Sequence, residues 1–305
     1  MKIAIFGANS HIATDLVHQL AGQQAHTITL FCRRPAELVQ RLQSQGLSGP
    51  FACSDYSTIS HSTFDAILNF VGAGDPRRVA EMGAAIFDVT LEFDDIALAY
   101  LRKHPDCKYI FMSSGAVFGG SYSVPVTSET RASLPINALG PQDWYGASKL
   151  HAETRHRALA GLPIVDLRIY NYFSSRQDLD SKFFLCEALQ CARTNALFRT
   201  NDINVFRDYV GPTDFHQLIS KILDTPPNNM ALDCYSASPV DKIALLEFLR
   251  SELGLRYEVV SGHATMNTTG NKTHYYSQNH SAAAIEYVPR FTSLETIRTE
   301  AFNML

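Results

Sequence analysis

Short apolar runs alternate with amphipathic stretches through roughly the first 170 residues, and this rhythm limits the chain to one broad architecture. Lys2–Phe6 is a β-branched and apolar run closed by the turn Gly7-Ala8-Asn9-Ser10. Ile12, Leu16, Val17 and Leu20 then recur at helical spacing until Gly22. Thr27–Cys32 reads as a second strand, followed by a helix that opens on Pro35 and stops near Gly46. Phe51–Ser54, Ala66–Val71, Lys108–Ser113 and Pro163–Ile169 read as strands three to six. A long helical region from Pro76 to about His104 and a helix from Trp144 to Leu159 lie among them. Strands that alternate with helices predict an α/β fold, a doubly wound parallel sheet with its ligands at the carboxyl ends of the strands. After Ile169 the rhythm breaks into Asn/Asp/Ser/Pro-rich loops and shorter helices. The expected division is a sheet domain over 1–172 and a smaller, less regular C-terminal lobe over 173–305, with a segment at about 200–224 returning to the sheet.

Composition narrows the partners. The 305 residues are 46% hydrophobic and 18% charged, which is globular, and the net charge of −4 argues against a nucleic-acid partner. A small anionic ligand needs only a few local cations. No stretch approaches the ~18 apolar residues of a membrane span, and no basic leader precedes the first strand, so no membrane partner and a cytoplasmic location are expected. Six cysteines without a CxxC pair read as reduced and structural, and no His/Cys/Asp spacing suggests a metal site.

The polar signals fall where strands end. Gly7-x-x-Ser10-x-x-Ala13 joins a strand to a helix, a turn in which backbone N–H groups and the helix N-terminus can face a pyrophosphate. Gly7, Asn9, Ser10, His11 and Ile12 are the candidate residues, with His11 read as a helix N-terminal residue rather than a catalyst. At the end of strand two, where NAD sites place an acidic residue for the ribose 2′-OH, the chain has Cys32-Arg33-Arg34-Pro35. Arg33 and Arg34 suit a 2′-phosphate, which favours NADP and leaves NAD open. Tyr145-Gly146-Ala147-Ser148-Lys149 opens a helix, and its four-residue spacing puts Tyr145 and Lys149 on one face. A phenol with an ordinary pKa of about 10 is a poor acid–base group at neutral pH, and a neighbouring ammonium lowers it. Ser113-Ser114 ends strand five and offers a hydroxyl to a reacting oxygen.

These segments resemble the extended short-chain dehydrogenases/reductases, in the NAD-dependent epimerase/dehydratase family that acts on nucleotide sugars. Gly7–Ala13 is similar to that family's GxxGxxG with two glycines replaced. Ile67–Gly72 resembles its fourth strand, whose end (Phe70, Val71, Gly72) lies beside the cofactor. Met112–Gly119 resembles S-S-x-x-V-Y-G, and Trp144–Lys149 the Tyr-Lys helix. Leu167–Asn171 and Arg207–Val210 resemble segments of UDP-galactose 4-epimerase. The resemblance implies a Rossmann domain and catalysis by Ser114, Tyr145 and Lys149, with Lys149 also holding the nicotinamide ribose. It further implies a sugar-nucleotide pyrophosphate on Asn171 and Arg207, Asp55 near adenine (or in a plain surface turn), and a homodimer by analogy.

The departures choose among activities. Dehydratases of this family carry Asp-Glu after the catalytic hydroxyl, and this chain has Gly115-Ala116, so elimination is not expected. GDP-fucose synthase-like enzymes place a cysteine where Ala116 stands. His-Val-x-Asp after Arg-Asp-Tyr has become Gly211-Pro212-Thr213-Asp214, leaving the geometry near Arg207 open. Tyr170 and Tyr172 read as core or cleft wall. Tyr275-Tyr276 with His274 and His280 either line a sugar pocket or cover the lobe. The leading expectation is an NADP(H)-dependent reductase of a 4-keto group on a nucleotide-linked deoxysugar. The second is a nucleotide-sugar 4-epimerase with tightly held NAD, and a third, of another class, is a non-catalytic NADP-sensing regulator.

Overall fold

The structure is a computed structural model that describes all residues except 24, 48, 50, 73, 121, 261–271 and 305. In chain order the first half contains β1 (Lys2–Phe6), α1 (His11–Gln23), β2 (Thr27–Phe31), α2 (Pro35–Ser44), β3 (Phe51–Ser54), β4 (Ala66–Asn69), α3 (Pro76–Met82), α4 (Ala85–Leu101), β5 (Lys108–Ser114), α5 (Pro141–Ala158) and β6 (Ile164–Ile169). The second half contains β7 (Asn171–Tyr172), α6 (Phe184–Thr194), β8 (Leu197–Thr200), β9 (Phe206–Arg207), β10 (Tyr209–Val210), α7 (Pro212–Asp224), β11 (Met230–Asp233), β12 (Val240–Asp241), α8 (Lys242–Leu253), β13 (Arg256–Val259), β14 (His274–Tyr275) and α9 (Ser293–Phe302).

The central sheet has seven strands in the order β11-β6-β5-β4-β1-β2-β3, and every pair is parallel. This is the doubly wound α/β architecture expected from the alternating pattern. Successive side chains along a strand point to opposite faces, and the core divides accordingly. Ile3, Ile5, Ile28, Leu30, Leu68 and Val165 pack with Leu16 and Leu20 of α1 and Leu218 and Ile222 of α7. Ala4, Phe6, Phe31, Ile67 and Phe111 pack on the other face with Leu98 and Leu101 of α4 and Ala152 of α5. Burial on both faces explains why these strands read as nearly continuous apolar runs. The strand order reverses between β1 and β4, which makes the crevice above their carboxyl ends the ligand position of such a sheet.

Several boundaries differ from expectation. The helical region expected over Pro76–His104 is two helices, because Gly83 sits at φ +53°, outside helical space. Strand four stops at Asn69 rather than Val71, since the Asn69 side chain accepts a hydrogen bond from the Val71 amide (2.9 Å) and bends the chain off the ladder. The helix expected from Trp144 begins at Pro141, a proline at the first helical turn. The return to the sheet runs through α7 and reaches a seventh strand at β11, beyond the 200–224 segment expected to make it.

The rest of the C-terminal half packs around its own apolar cluster, with Leu185 and Leu189 of α6, Leu245 and Leu249 of α8, and Ile297 of α9. One short ladder, β7 with β10, ties it to the sheet domain, while β8 with β13 and β12-β9-β14 pair within the C-terminal half. In the Gly211–Asp214 segment, Pro212 starts α7, and the buried Asp214 carboxylate accepts from the Arg290 (2.9 Å) and Phe291 (3.1 Å) amides.

Candidate functional site

The end of β1 approaches the end of β4 so closely that a Cβ on Gly7 would lie 2.8 Å from Phe70 C and Val71 N. Gly7 also has φ +67°, so the turn needs a glycine for both reasons. Its amide donates to the Tyr56 hydroxyl (2.9 Å) and to Phe31 O (3.1 Å), so the tight turn is its local role. Ser10 caps α1 through its Oγ, which accepts from Ala13 N (3.2 Å). Asn9, Ser10, His11 and Ile12 line a cavity of about 1210 Å³. Burial and the Arg78 charge push the His11 pKa down to about 4, so its ring is neutral, and its buried Nε2 has no hydrogen-bond partner among the described residues.

Across the switch, Phe70, Val71 and Gly72 line the same cavity. Arg33 and Arg34 do not; both are exposed, and Arg34 pairs with Glu37 (3.4 Å). Arg41 of α2 does line the cavity, and its Nη1 donates to Asn9 O (2.9 Å) in the turn. Sequence reading missed it because two helical turns separate it from the strand end. Asp55 is exposed and outside the cavity lining, and its carboxylate accepts from Ser57 N (2.9 Å) as a turn cap.

Ser114 is the last residue of β5, and the chain then tightens into a 3₁₀ turn over Gly115–Phe118. Both serines reach the cavity, and their partners separate them. Ser113 donates to Glu153 Oε1 (2.6 Å), which Arg168 also holds, whereas the Ser114 hydroxyl lies 3.2 Å from that of Tyr275. Helix α5 approaches this turn at Gly146, where a Cβ would lie 2.5 Å from Ala116 O. The glycine within Tyr145–Lys149 is therefore what brings the phenol and the ammonium up to Ser114. Lys149 is 4% exposed; its Nζ donates to Met112 O (2.8 Å) and stands 4.3 Å from the Phe111 ring centroid. Burial lowers its pKa to about 8, against the nearby charges of Asp94, Asp166 and Glu153. Tyr145 departs from expectation. Burial raises its pKa and a hydrogen bond with Ser114 acts against that, while the Lys149 ammonium expected to lower it donates to Met112 O.

On the lobe side the cavity meets Asn171, Arg207, Lys272 and Tyr275. Asn171 Nδ2 donates to Asp208 O (3.2 Å), and Arg207 Nη1 donates to Phe206 O and Lys272 O (2.8 Å each). Burial lowers the Arg207 pKa, and burial with the adjacent Arg207 charge brings Lys272 to about 8. Two cations desolvated side by side in a cavity are suited to a multiply charged anion. Lys272 was missed because nothing in its local sequence marks it. Of the aromatic cluster around it, Tyr275 lines the cavity, His274 stacks on Phe206 (4.8 Å) and His280 packs on Tyr235 (4.4 Å). Tyr170 and Tyr172 are cavity walls, the latter donating to Asp15 (2.9 Å). No cluster of potential metal ligands occurs among the described residues, and no helix among them is long and apolar enough to cross a membrane.

A doubly wound sheet with a glycine turn, a Ser-Tyr-Lys group and paired cations on one cavity defines a class of dinucleotide-dependent enzymes. The model of the NAD dependent epimerase/dehydratase family matches residues 3–233, and the chain belongs to that family. UDP-glucose 4-epimerase 4 of Oryza sativa subsp. japonica is 28% identical over 147 residues, 48% of this chain and 34% of that protein. The chain thus matches about a third of the length of that curated relative. The fold is similar to UDP-glucuronic acid 4-epimerase from Bacillus cereus in complex with UDP-glucuronic acid and NAD (TM-score 0.80, 17% identity, 100% of this chain and 99% of that one). It is also similar to UDP-glucose 4-epimerase from Stenotrophomonas maltophila with NAD and formylated UDP-arabinopyranose (TM-score 0.80, 17% identity, 100% and 97%). A third is dTDP-glucose 4,6-dehydratase from Bacillus anthracis str. Ames in complex with NAD (TM-score 0.76, 16% identity, 99% and 96%).

Proposed function

We propose that the chain is a nucleotide-sugar 4-epimerase that works with a nicotinamide dinucleotide. The observation that carries this reading is the meeting of Ser114, Tyr145 and Lys149 on one cavity, between the α1 turn and the Arg207–Lys272 pair. The residues suit a dinucleotide: the α1 N-terminus faces the cavity, and the buried His11 Nε2 there lacks a partner among the described residues. When bound, the nicotinamide supplies hydride exchange at sugar C4. Tyr145 takes and returns the proton of the C4 oxygen, Ser114 orients that oxygen, and Lys149 would hold the nicotinamide ribose. Arg207, Lys272 and Asn171 hold the diphosphate, so binding energy remote from C4 aligns the sugar. A cavity of about 1210 Å³ exceeds the usual ~300–1,000 Å³ of a single-ligand pocket and suits two ligands together.

Elimination is not part of this reading. Gly115 and Ala116 carry no acid or base, and the Tyr170 ring fills the space a side chain at 115 would need. A second reading, reduction of a 4-keto sugar nucleotide with NADPH, is supported by Arg41 on the cavity and by the lack of an acidic residue at the end of β2. The two differ in a simple assay with UDP-glucose or UDP-glucuronic acid and their 4-keto derivatives. An epimerase interconverts C4 isomers without consuming added cofactor; net oxidation of NADPH with a 4-keto sugar nucleotide supports the reductase instead.

A further inference from the structure

Tyr275 reaches the reacting centre from a part of the chain far from the Ser-Tyr-Lys group. Its hydroxyl lies 3.2 Å from Ser114 Oγ, across 161 positions of sequence. The ring is 6% exposed and held on two sides, by Tyr122 (centroids 5.0 Å apart) and Tyr170 (5.3 Å), with Lys272 Nζ 4.9 Å from its centroid. Strand β14 pairs with β9 so that Tyr275 is in register with Arg207. The residue beside the catalytic hydroxyl is therefore locked to the strand that carries a diphosphate-facing arginine.

Counting protons around Ser114 assigns a direction to this contact. Ser114 Oγ accepts from the Ala116 amide (3.2 Å) and is flanked by two phenols, Tyr145 and Tyr275. A serine hydroxyl has one proton and two acceptor sites. It donates to one phenol, and the other phenol must donate to it. The reaction proposed above requires Tyr145 to give up its proton, so Tyr145 is the phenol that accepts; Tyr275, fixed between Tyr122 and Tyr170 with its hydroxyl 3.2 Å from Oγ, is the one placed to donate.

We propose that Tyr275 is a positioning residue of this site: its hydroxyl donates to Ser114 Oγ and so aims the serine's single proton at Tyr145 in the free site, and at the reacting sugar oxygen when that oxygen is bound beside Tyr145. The Gly115-Ala116 sequence carries no functional side chain, and Tyr275 supplies polar control of Ser114 from the opposite lobe instead. The inference rests on the hydride-transfer reading above. Without Tyr275 the serine rotor is free to turn from the reacting oxygen, and catalysis loses alignment while binding is kept.

The test is a double-mutant cycle on the full chain supplemented with NAD, using UDP-glucose or UDP-glucuronic acid, whichever the wild type turns over. Tyr275→Phe keeps the ring contacts, and kcat is expected to fall about tenfold, the worth of one hydrogen bond, with KM and the melting temperature little changed. In a Ser114→Ala background the same change costs nothing further, because its effect passes through Ser114. Titration of each variant with UDP-glucose, read by Trp144 fluorescence, shows the pocket intact independently of turnover. Equal kcat for Tyr275→Phe and wild type overturns the proposal, as does an equal loss in both backgrounds or a rise confined to KM. A wild-type protein inert toward every sugar nucleotide removes the functional reading, and the proposal with it.

Discussion

Gly115 leaves its bare Cα against the ring of Tyr170: a Cβ built there would lie 2.3 Å from the ring edge. The residue that follows the candidate catalytic serine is thus fixed as glycine by a buried aromatic from β6–β7, not left open by chance. Gly115→Asp should fail to create an eliminating enzyme. The expected outcome is overpacking that costs about 1–3 kcal/mol, seen as a lower midpoint in urea, with no dehydrated sugar in the product mixture.

Tyr145→Phe removes the phenolic proton assigned to the C4 oxygen, and its expected effect is a loss of turnover of about 10²–10⁴. Affinity for the sugar nucleotide should hold, because Arg207 and Lys272 lie on the lobe side of the cavity. Steady-state kinetics and Trp144 fluorescence titrations separate the two quantities.

Behind the site, His156 is fully buried between Asp166 (2.6 Å) and Asp94 (2.8 Å), and Asp94 accepts in turn from the Tyr109 hydroxyl (3.0 Å). Burial pushes the imidazole down, but hydrogen bonds and charge from the two carboxylates outweigh it and raise His156 to about 9. A group raised in the folded state stabilises fully below its unfolded pKa of about 6.5. That contribution fades as pH rises through about 9. Urea unfolding should therefore show stability falling by a few kcal/mol from neutral pH to above 9, and His156→Gln should flatten that slope.

Lys108, 5% exposed at the start of β5, turns its ammonium onto the last carbonyls of α7: Leu223 O at 2.9 Å, with Ile222 O and Thr225 O also accepting. A buried cation at a helix C-terminus satisfies the orphan carbonyls and the dipole together. Lys108→Met should cost about 3 kcal/mol, and amide exchange should speed up first in the last turn of α7.

The sequence made legible what local spacing encodes. Alternating apolar runs give the sheet, and Tyr145 and Lys149 share a helix face whatever lies around them. The Gly83 break was hidden because the residues around it suit a helix, and only the left-handed backbone of that glycine ends α3. Arg41 and Lys272 reach the cavity by tertiary packing, which no spacing reports. Tyr275 stood out as an aromatic in the lobe, but its contact with Ser114 depends on the β14–β9 register. Asp94 did leave a trace, a carboxylate within the apolar stripe Phe93-Asp94-Ala97-Leu98, where a buried partner is required. The strand-end arginines marked the right region, yet the side chain that faces the cavity there belongs to α2.

In the proposed reaction Ser114, Tyr145 and Lys149 handle the proton at C4 of a nucleotide-linked sugar, and a bound nicotinamide would exchange the hydride. Its most direct test is proton NMR of UDP-glucose and UDP-glucuronic acid incubated with the purified protein, without added cofactor, beside the Tyr145→Phe variant. A growing anomeric signal of the C4 epimer is expected with wild type and none with the variant. Unchanged substrates together with oxidation of NADPH by a 4-keto sugar nucleotide would contradict the epimerase, and a dehydrated product would contradict the reading of Gly115 and Ala116.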